Sequence, residues 1–430
     1  MDKISEKNKV NNKFILKLRE LFKPNNLDGY IIPKNDAYFS EFSNPDRLRA
    51  LTNFSGSAGY AIILKKKNFL FVDPRYTLQA KLESGDNFKI IEIPKYSPKN
   101  ILKKNLRKIT LGFDPQLFTK FSIEKNFKNS FNLIPIKQNL VDKIVNFGEG
   151  NFVSPFYNLT KKITGENSRS KIKRLIKIMK SKKIDNIFIS APENVAWLLN
   201  IRGKDNPNSP IPNCNLILTK NNELFFFSCP KKIYKIKKVK ELYKLKFSNY
   251  KNFENVISKL NGKNFCIDQN TCSVDNEDII KSYFNIKSKQ DPCYEMKSIK
   301  NKTEINHMID AHIKDGVALT KFIYWMKNLN KKKITEITAL TKLEKFRKLN
   351  KDYLFPSFNT IAGTGSTGAI IHYKVNKKTN KIIKKKHIFL CDSGGQYKYG
   401  TTDVTRTICF SNQNQNVKDK YTRVLKGHIS

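Results

Sequence analysis

Long uncharged apolar runs are missing from this sequence. No stretch approaches the roughly 20 residues that cross a bilayer, so no membrane span is expected. The amino-terminal MDKISEKNKVNNKF is polar and has none of the apolar core that a secretory signal needs. Cysteine is sparse and scattered. The 7 residues (Cys214, Cys229, Cys266, Cys272, Cys293, Cys391 and Cys409) include no CxxC pair and are odd in number, which excludes a disulfide framework and a zinc knuckle. No short period marks a solenoid. These absences describe a soluble protein, and a cytoplasmic location is expected.

Acidic residues are also scarce, 37 against 81 Lys+Arg, for a net charge of +44. A clustered excess of that size would neutralise nucleic-acid phosphates. Here lysines occur in nearly every segment, mixed with Asn and Ile, and seldom form a discrete arm. That distribution reads as solvated surface, and no specific nucleic-acid partner is expected. The length of 430 residues exceeds one compact core, and 39% hydrophobic residues suffice to fill two or three.

Residues 1–160 alternate short apolar strands with polar helical stretches. Tyr30–Pro33, Gly59–Leu64 and Phe69–Val72 read as strands, separated by turn signals such as Ser55-Gly56-Ser57. From Glu166 to Lys182 the spacing of Ile172, Leu175, Ile176 and Met179 predicts a helix, followed by a buried strand at Ile184–Ile189. Residues 161–292 thus repeat the logic of the first segment, which predicts two α/β domains in tandem. A third domain, 293–430, opens on a long amphipathic helix whose apolar positions include Ile305, Met308, Ile309, Val317, Phe322 and Ile323. Asn301 and Glu304 have capping-box spacing at its start. A second helix is expected over Thr335–Lys348, after which the chain turns β-like through Gly363, Gly365, Gly368 and Ile370-Ile371-His372-Tyr373.

Chemistry concentrates in Ile388–Phe410, where an apolar strand ends at Asp392, Ser393-Gly394-Gly395 permits a sharp turn, and a second strand carries Asp403, eleven positions on (403 − 392). An ionised Asp within an apolar sheet is costly unless a cation or partner compensates it. Two readings stand on this spacing alone: an ordinary hairpin with exposed carboxylates, and a pair of oxygen donors for divalent cations.

The wording of the segment goes further. DSGGQYKYGTTDVTRT closely resembles the first metal-ligand segment of aminopeptidase P, the proline-specific branch of the pita-bread metallopeptidases. The resemblance implies that Asp392 is a terminal ligand to one metal, that Asp403 bridges two, and that the ions are most often Mn2+. Gly368-Ala-Ile-Ile-His372-Tyr373, twenty residues before Asp392 (392 − 372), is similar to the family segment carrying an active-site imidazole. His372 is thereby implied as the catalytic histidine, a role suited to a developing oxyanion. His307, His312, His387 and His428 lack ligand spacing and read as structural. Further similarity runs through Asn53–Gly59, Phe71–Ala80, Ala196–Gly203, Glu295-Met-Lys297 and Ala311–Leu319, and so covers essentially the whole chain.

The resemblance implies a mixed α/β protein: two creatinase-like amino-terminal domains followed by the first half of a pita-bread catalytic domain. It also implies peptides with an Xaa-Pro amino terminus as substrates, a dinuclear metal site and a homodimer. The family site uses two Asp, one His and two Glu. Its His lies in a Gly-rich segment beyond Asp403, and both Glu follow later, whereas this sequence ends at Ser430. Three ligands are therefore expected to be missing, with little or no peptidase activity from these residues alone. A noncatalytic scaffold that keeps the pita-bread fold is the alternative, and retention of His372, Asp392 and Asp403 speaks against it.

Overall fold

The computed structural model describes residues 12–40, 42–102, 109–127, 130–148, 154–242, 244–328 and 333–430. It divides into two compact units. The first comprises Met1–Lys161, Glu166–Pro207 and Ile211–Ile299, and the second Lys162–Gly165, Asn208–Pro210 and Lys300–Ser430.

Two six-stranded sheets build the first unit. The strands of one are β1 (Gly29–Pro33), β2 (Gly59–Leu64), β3 (Asn68–Val72), β4 (Lys89–Glu92), β5 (Thr110–Phe113) and β6 (Asn132–Pro135), in the order β4-β3-β2-β1-β5-β6. The other has β7 (Asn186–Ile189), β8 (Asn215–Thr219), β9 (Leu224–Phe227), β10 (Leu245–Ser248), β11 (Asn264–Ile267) and β12 (Asn285–Ser288), in the order β10-β9-β8-β7-β11-β12. The sheets match strand for strand. In each, the first strand pairs antiparallel with the second and parallel with the fifth, and the third and fourth run parallel. Such mixed sheets bury both faces, and apolar clusters do pack on both sides of each. The helix expected over Glu166–Lys182 is α1 (Ser168–Ser181), capped by the Asn167 side chain, with Ile172, Leu175 and Met179 buried.

Helices over small, mostly antiparallel sheets make up the second unit. Helix α2 (Lys302–Lys327) starts at the capping box read from the sequence: Asn301 Oδ1 accepts from the Glu304 N–H, and Glu304 accepts in return from the Asn301 N–H. Helix α3 (Glu336–Lys348) starts at a Thr335 cap. Strands β13 (Tyr353–Pro356), β14 (Ile361–Thr364), β15 (Phe389–Ser393), β16 (Gly395–Tyr397) and β17 (Val404–Ile408) follow, and α4 (Gln415–Ile429) ends the chain. Strand β15 is the centre of a three-stranded sheet, between β14 and β17, and β13 pairs with β16.

Two local readings are corrected. Of the apolar positions named on α2, Phe322 is buried and Ile323 packs on the core, but the amino-terminal ones do not form its buried face. Ile305, Ile309 and Val317 are 47%, 55% and 50% exposed, while Ala311, Asp315, Ala318, Leu319, Phe322 and Met326 are buried. Small residues let α2 approach closely, and Asp315 is tolerated there because it has an ionic partner. The segment Gly365–Tyr373 is not β-like either. Gly365–Ala369 forms a 3-10 turn, held by reciprocal bonds between Thr364 and Thr367. The next residues turn again, with His372 at φ 55°, a left-handed conformation no strand uses.

Candidate metal centre

Strand β15 places its residues alternately: Phe389, Cys391 and Ser393 are buried, and Leu390 and Asp392 half-buried. Period-2 geometry therefore sends the Asp392 side chain to the face opposite the helix-packed core. Its register partner on β17 is Thr405, whose hydroxyl donates to Asp392 Oδ1 at 2.8 Å. Asp403 precedes β17 and stands two residues from Thr405. That makes it the diagonal neighbour of Asp392 on the same face, roughly 7–8 Å away in a regular ladder. Desolvation, and then the negative charge of Asp392, push the exposed Asp403 carboxyl above its ordinary range.

The turn between the two aspartates leaves no room for a side chain at Gly394. A Cβ there would lie 1.9 Å from the Thr402 carbonyl oxygen and 2.2 Å from Ser357 Oγ. That close approach lets Ser357 Oγ donate to Thr402 O at 2.9 Å, and the Ser357 N–H donate to Gly394 O at 3.1 Å. Thr402 closes the hairpin: its N–H donates to Gly395 O, and its hydroxyl accepts from the Gly395 N–H, both at 2.9 Å.

Beneath the strand lies a buried ion pair. Arg347 on α3 and Asp315 on α2 are each 1% exposed. Arg347 Nε donates to Asp315 Oδ1 at 2.7 Å, and Nη2 donates to Oδ2 at 3.0 Å and to Ser393 Oγ at 3.1 Å. The Tyr397 hydroxyl donates to Asp315 Oδ1 at 2.9 Å. Ser393 and Tyr397 of the DSGGQY segment are thus fastened to one bidentate pair, next to Asp392.

His372 enters on a separate segment, the turn after β14, and is exposed. The structure therefore brings Asp392 and Asp403 together and places His372 on the loop joining β14 to β15. Of the histidines read as structural, His307 sets Nδ1 3.0 Å from Ile163 O and its ring 4.7 Å from that of Tyr399. The paired carboxylates suit hard divalent cations in kind, as anionic oxygen donors. In number they fall short: among the described residues, no group of three or more His, Cys, Asp or Glu is arranged to hold an ion.

Models of the Creatinase/Prolidase N-terminal domain match residues 15–144 and again 152–304, and the model of Metallopeptidase family M24 matches 306–430. Xaa-Pro aminopeptidase 1 of Dictyostelium discoideum is 34% identical over 466 residues, covering 100% of this chain and 73% of that protein. The chain belongs to the Xaa-Pro aminopeptidase P family. A probable Xaa-Pro aminopeptidase P of Laccaria bicolor is likewise 34% identical, over 97% of this chain and 67% of its own length. The X-prolyl aminopeptidase of Caenorhabditis elegans, described as a cytosolic enzyme with a di-nuclear active site, superposes with a TM-score of 0.87. It is 27% identical, over 94% of this chain and 71% of that one. As in this aminopeptidase P family, the fold is two creatinase-type amino-terminal domains joined to M24 pita-bread structure.

Sequence reasoning missed three buried ionisable residues of the second unit: Asp315, Arg347 and Glu336, whose carboxylate accepts from the Thr364 N–H at 2.9 Å. A signal existed for Asp315. A carboxylate amid Ala311, Ala318 and Leu319 on the small-residue face of α2 is costly to bury without a partner. Nothing local marks Arg347 or Glu336, because their partners lie 32 and 28 or more residues away.

Proposed function

We propose that the protein is a metal-dependent aminopeptidase that releases the residue preceding proline at the second position of a peptide. The observation that carries this is the pairing of Asp392 on β15 with Asp403 at the entry to the adjoining β17, inside the M24 match. Asp392 and Asp403 would hold two divalent ions, with Mn2+ the proposed metal. Bound there, the ions would supply the positive charge that polarises a scissile carbonyl and acidifies water. His372 would hold a proton and donate a hydrogen bond to the oxygen on which negative charge develops. Proline's tertiary amide and fixed φ make the preceding bond a poor substrate for general peptidases, which is why a dedicated site is needed.

Domain boundaries near 160 and 292 belong to the same proposal. So do a cytoplasmic location and a homodimer, the former supported by the cytosolic C. elegans relative.

Two assays test the reading. Mn2+ binding, followed by electron paramagnetic resonance, should weaken at least tenfold in Asp403→Asn. Residual hydrolysis should favour an Xaa-Pro peptide over its Xaa-Ala counterpart and fall in His372→Gln. Equal cleavage of both peptides, or unchanged Mn2+ binding in the Asp392→Asn/Asp403→Asn variant, would refute it.

A further inference from the structure

Glu336, the first residue of α3, is fully buried, and among the described residues no cation side chain donates to it. Four donors do. Oε1 accepts from the Thr364 N–H at 2.9 Å and from the Thr367 hydroxyl. Oε2 accepts from the Tyr373 hydroxyl at 3.1 Å and from the Lys381 N–H at 3.1 Å. A carboxylate offers about four lone-pair sites, so all its capacity is engaged, and its place in the first turn of a helix favours the negative charge.

The origin of the four donors matters more than their number. Thr364 ends β14, Thr367 lies in the 3-10 turn, Tyr373 follows His372, and Lys381 stands where the loop returns. The Glu336 N–H also donates to Lys381 O at 3.0 Å, and the Ile337 N–H donates to Asn380 Oδ1 at 3.1 Å. One buried carboxylate therefore closes both ends and the middle of the loop that carries His372. The Tyr373 hydroxyl, whose one proton is shared between Glu336 Oε2 and Thr379 O, each at 3.1 Å, fixes the residue next to the imidazole. His372 itself holds φ 55°, a conformation that a non-glycine residue keeps only when its surroundings over-determine it.

We propose that Glu336 is the positioning residue of His372, acting through Tyr373 and the Thr364–Thr367 turn. The proposal rests on the reading that His372 works at the site. Its test avoids hydrolysis and metal, so either can fail without the other: full turnover in His372→Gln would sink the catalytic reading and leave the positioning intact.

In the full chain, Tyr373→Phe and Glu336→Gln are compared with the parent by amide exchange over residues 361–381. The imidazole Cε1–H resonance of His372, assigned by its loss in His372→Gln, is read beside that of exposed His428. Tyr373→Phe removes one donor of four and should speed exchange at 370–374 about tenfold. The His372 resonance should move toward that of free histidine while that of His428 stays. Glu336→Gln sets an amide donor against these donors, and exchange across 361–381 should rise roughly a hundredfold. If Glu336→Gln does not fold, the Tyr373→Phe result decides in the same two directions. Parent-like exchange and an unmoved His372 resonance overturn the proposal. So does faster exchange spread evenly over the second unit, which would mean that the contact holds the fold and not the imidazole.

Discussion

Replacing Arg347 by Met removes the guanidinium and keeps most of the volume. Asp315, 1% exposed, would retain only the Tyr397 hydroxyl among its present donors, and Ser393 Oγ would lose Arg347 as well. Leaving one member of a buried pair uncompensated costs about 3–5 kcal/mol. At about 2–4 °C per kcal/mol for a unit of this size, the unfolding midpoint of residues 300–430 should fall by roughly 6–20 °C. Replacing both partners, as Asp315→Leu with Arg347→Met, removes the stranded charge. The remaining deficit is the two hydroxyls of Ser393 and Tyr397, about 1–3 kcal/mol each if they find no water. The double variant should therefore be less destabilised than the sum of the singles by at least about 2 kcal/mol. Urea unfolding of the four proteins, followed by tryptophan fluorescence of Trp325 on α2, measures the cycle. Additivity within about 0.5 kcal/mol, or a cost below about 1 kcal/mol for Arg347→Met, would refute the claim that this pair anchors the Asp392 strand.

Three other outcomes follow from the structure. Gly394→Ala drives a methyl into the Thr402 carbonyl and should weaken the hairpin by about 2–4 kcal/mol, read as loss of Mn2+ binding together with a lower unfolding midpoint; an unchanged midpoint would contradict the packing. Mn2+ at ten times its dissociation constant should stabilise the chain by about 1.4 kcal/mol, and Asp403→Asn should abolish that gain, so an equal shift in the variant would place the ion elsewhere. Asp185 accepts from Lys220 Nζ and from the N–H groups of Asn264 and Lys263, in that order of influence, and these hold its carboxyl down at about 2. A depressed carboxyl contributes stability above its unfolded pKa, and that contribution is lost as pH falls through the folded value. Asp185→Asn should therefore flatten the acid-unfolding curve between about pH 4 and pH 2, and curves parallel to the parent's would count against it.

Much of this architecture is legible in local pattern. The Asn301 and Glu304 capping box, the Thr335 start of α3 and the strands at Gly59 and Phe69 follow from signals that act within a few residues. The duplicated sheet order shows the reach of that logic, since an alternation read twice along the chain becomes one topology built twice. What escapes is non-local. The stripe through Ile305 and Ile309 has good helical spacing, yet the opposite side of α2 is buried, because Ala311 and Ala318 admit close packing and Asp315 meets an arginine 32 residues on. The Ile370–Tyr373 segment has strand-like composition, but the Ile370 and Tyr373 N–H groups donate back to Thr367 O and Ile370 O in turns, and Glu336 takes the Tyr373 hydroxyl. The aspartate pair lies between these cases: its spacing is ambiguous, its wording is specific, and its geometry follows from an antiparallel register.

Glu336 and Arg347 stand eleven residues apart on α3 (347 − 336). At 100° per residue that is three turns plus about 20°, so both side chains leave the same side of the helix, roughly 16 Å apart. The helix behaves as a ruler with a hook at each end, one holding the His372 loop and the other the Asp392 strand. Its length is consequently quantised. Inserting or deleting a single residue between the hooks would swing one of them by about 100° and detach half of the site, whatever residue was chosen. The mostly exposed stretch from Lys374 to Lys378, ahead of the bonds made by Thr379, Asn380 and Lys381, faces no such constraint. Length variation among functional relatives should accumulate in that loop and be absent from the span between the two hooks.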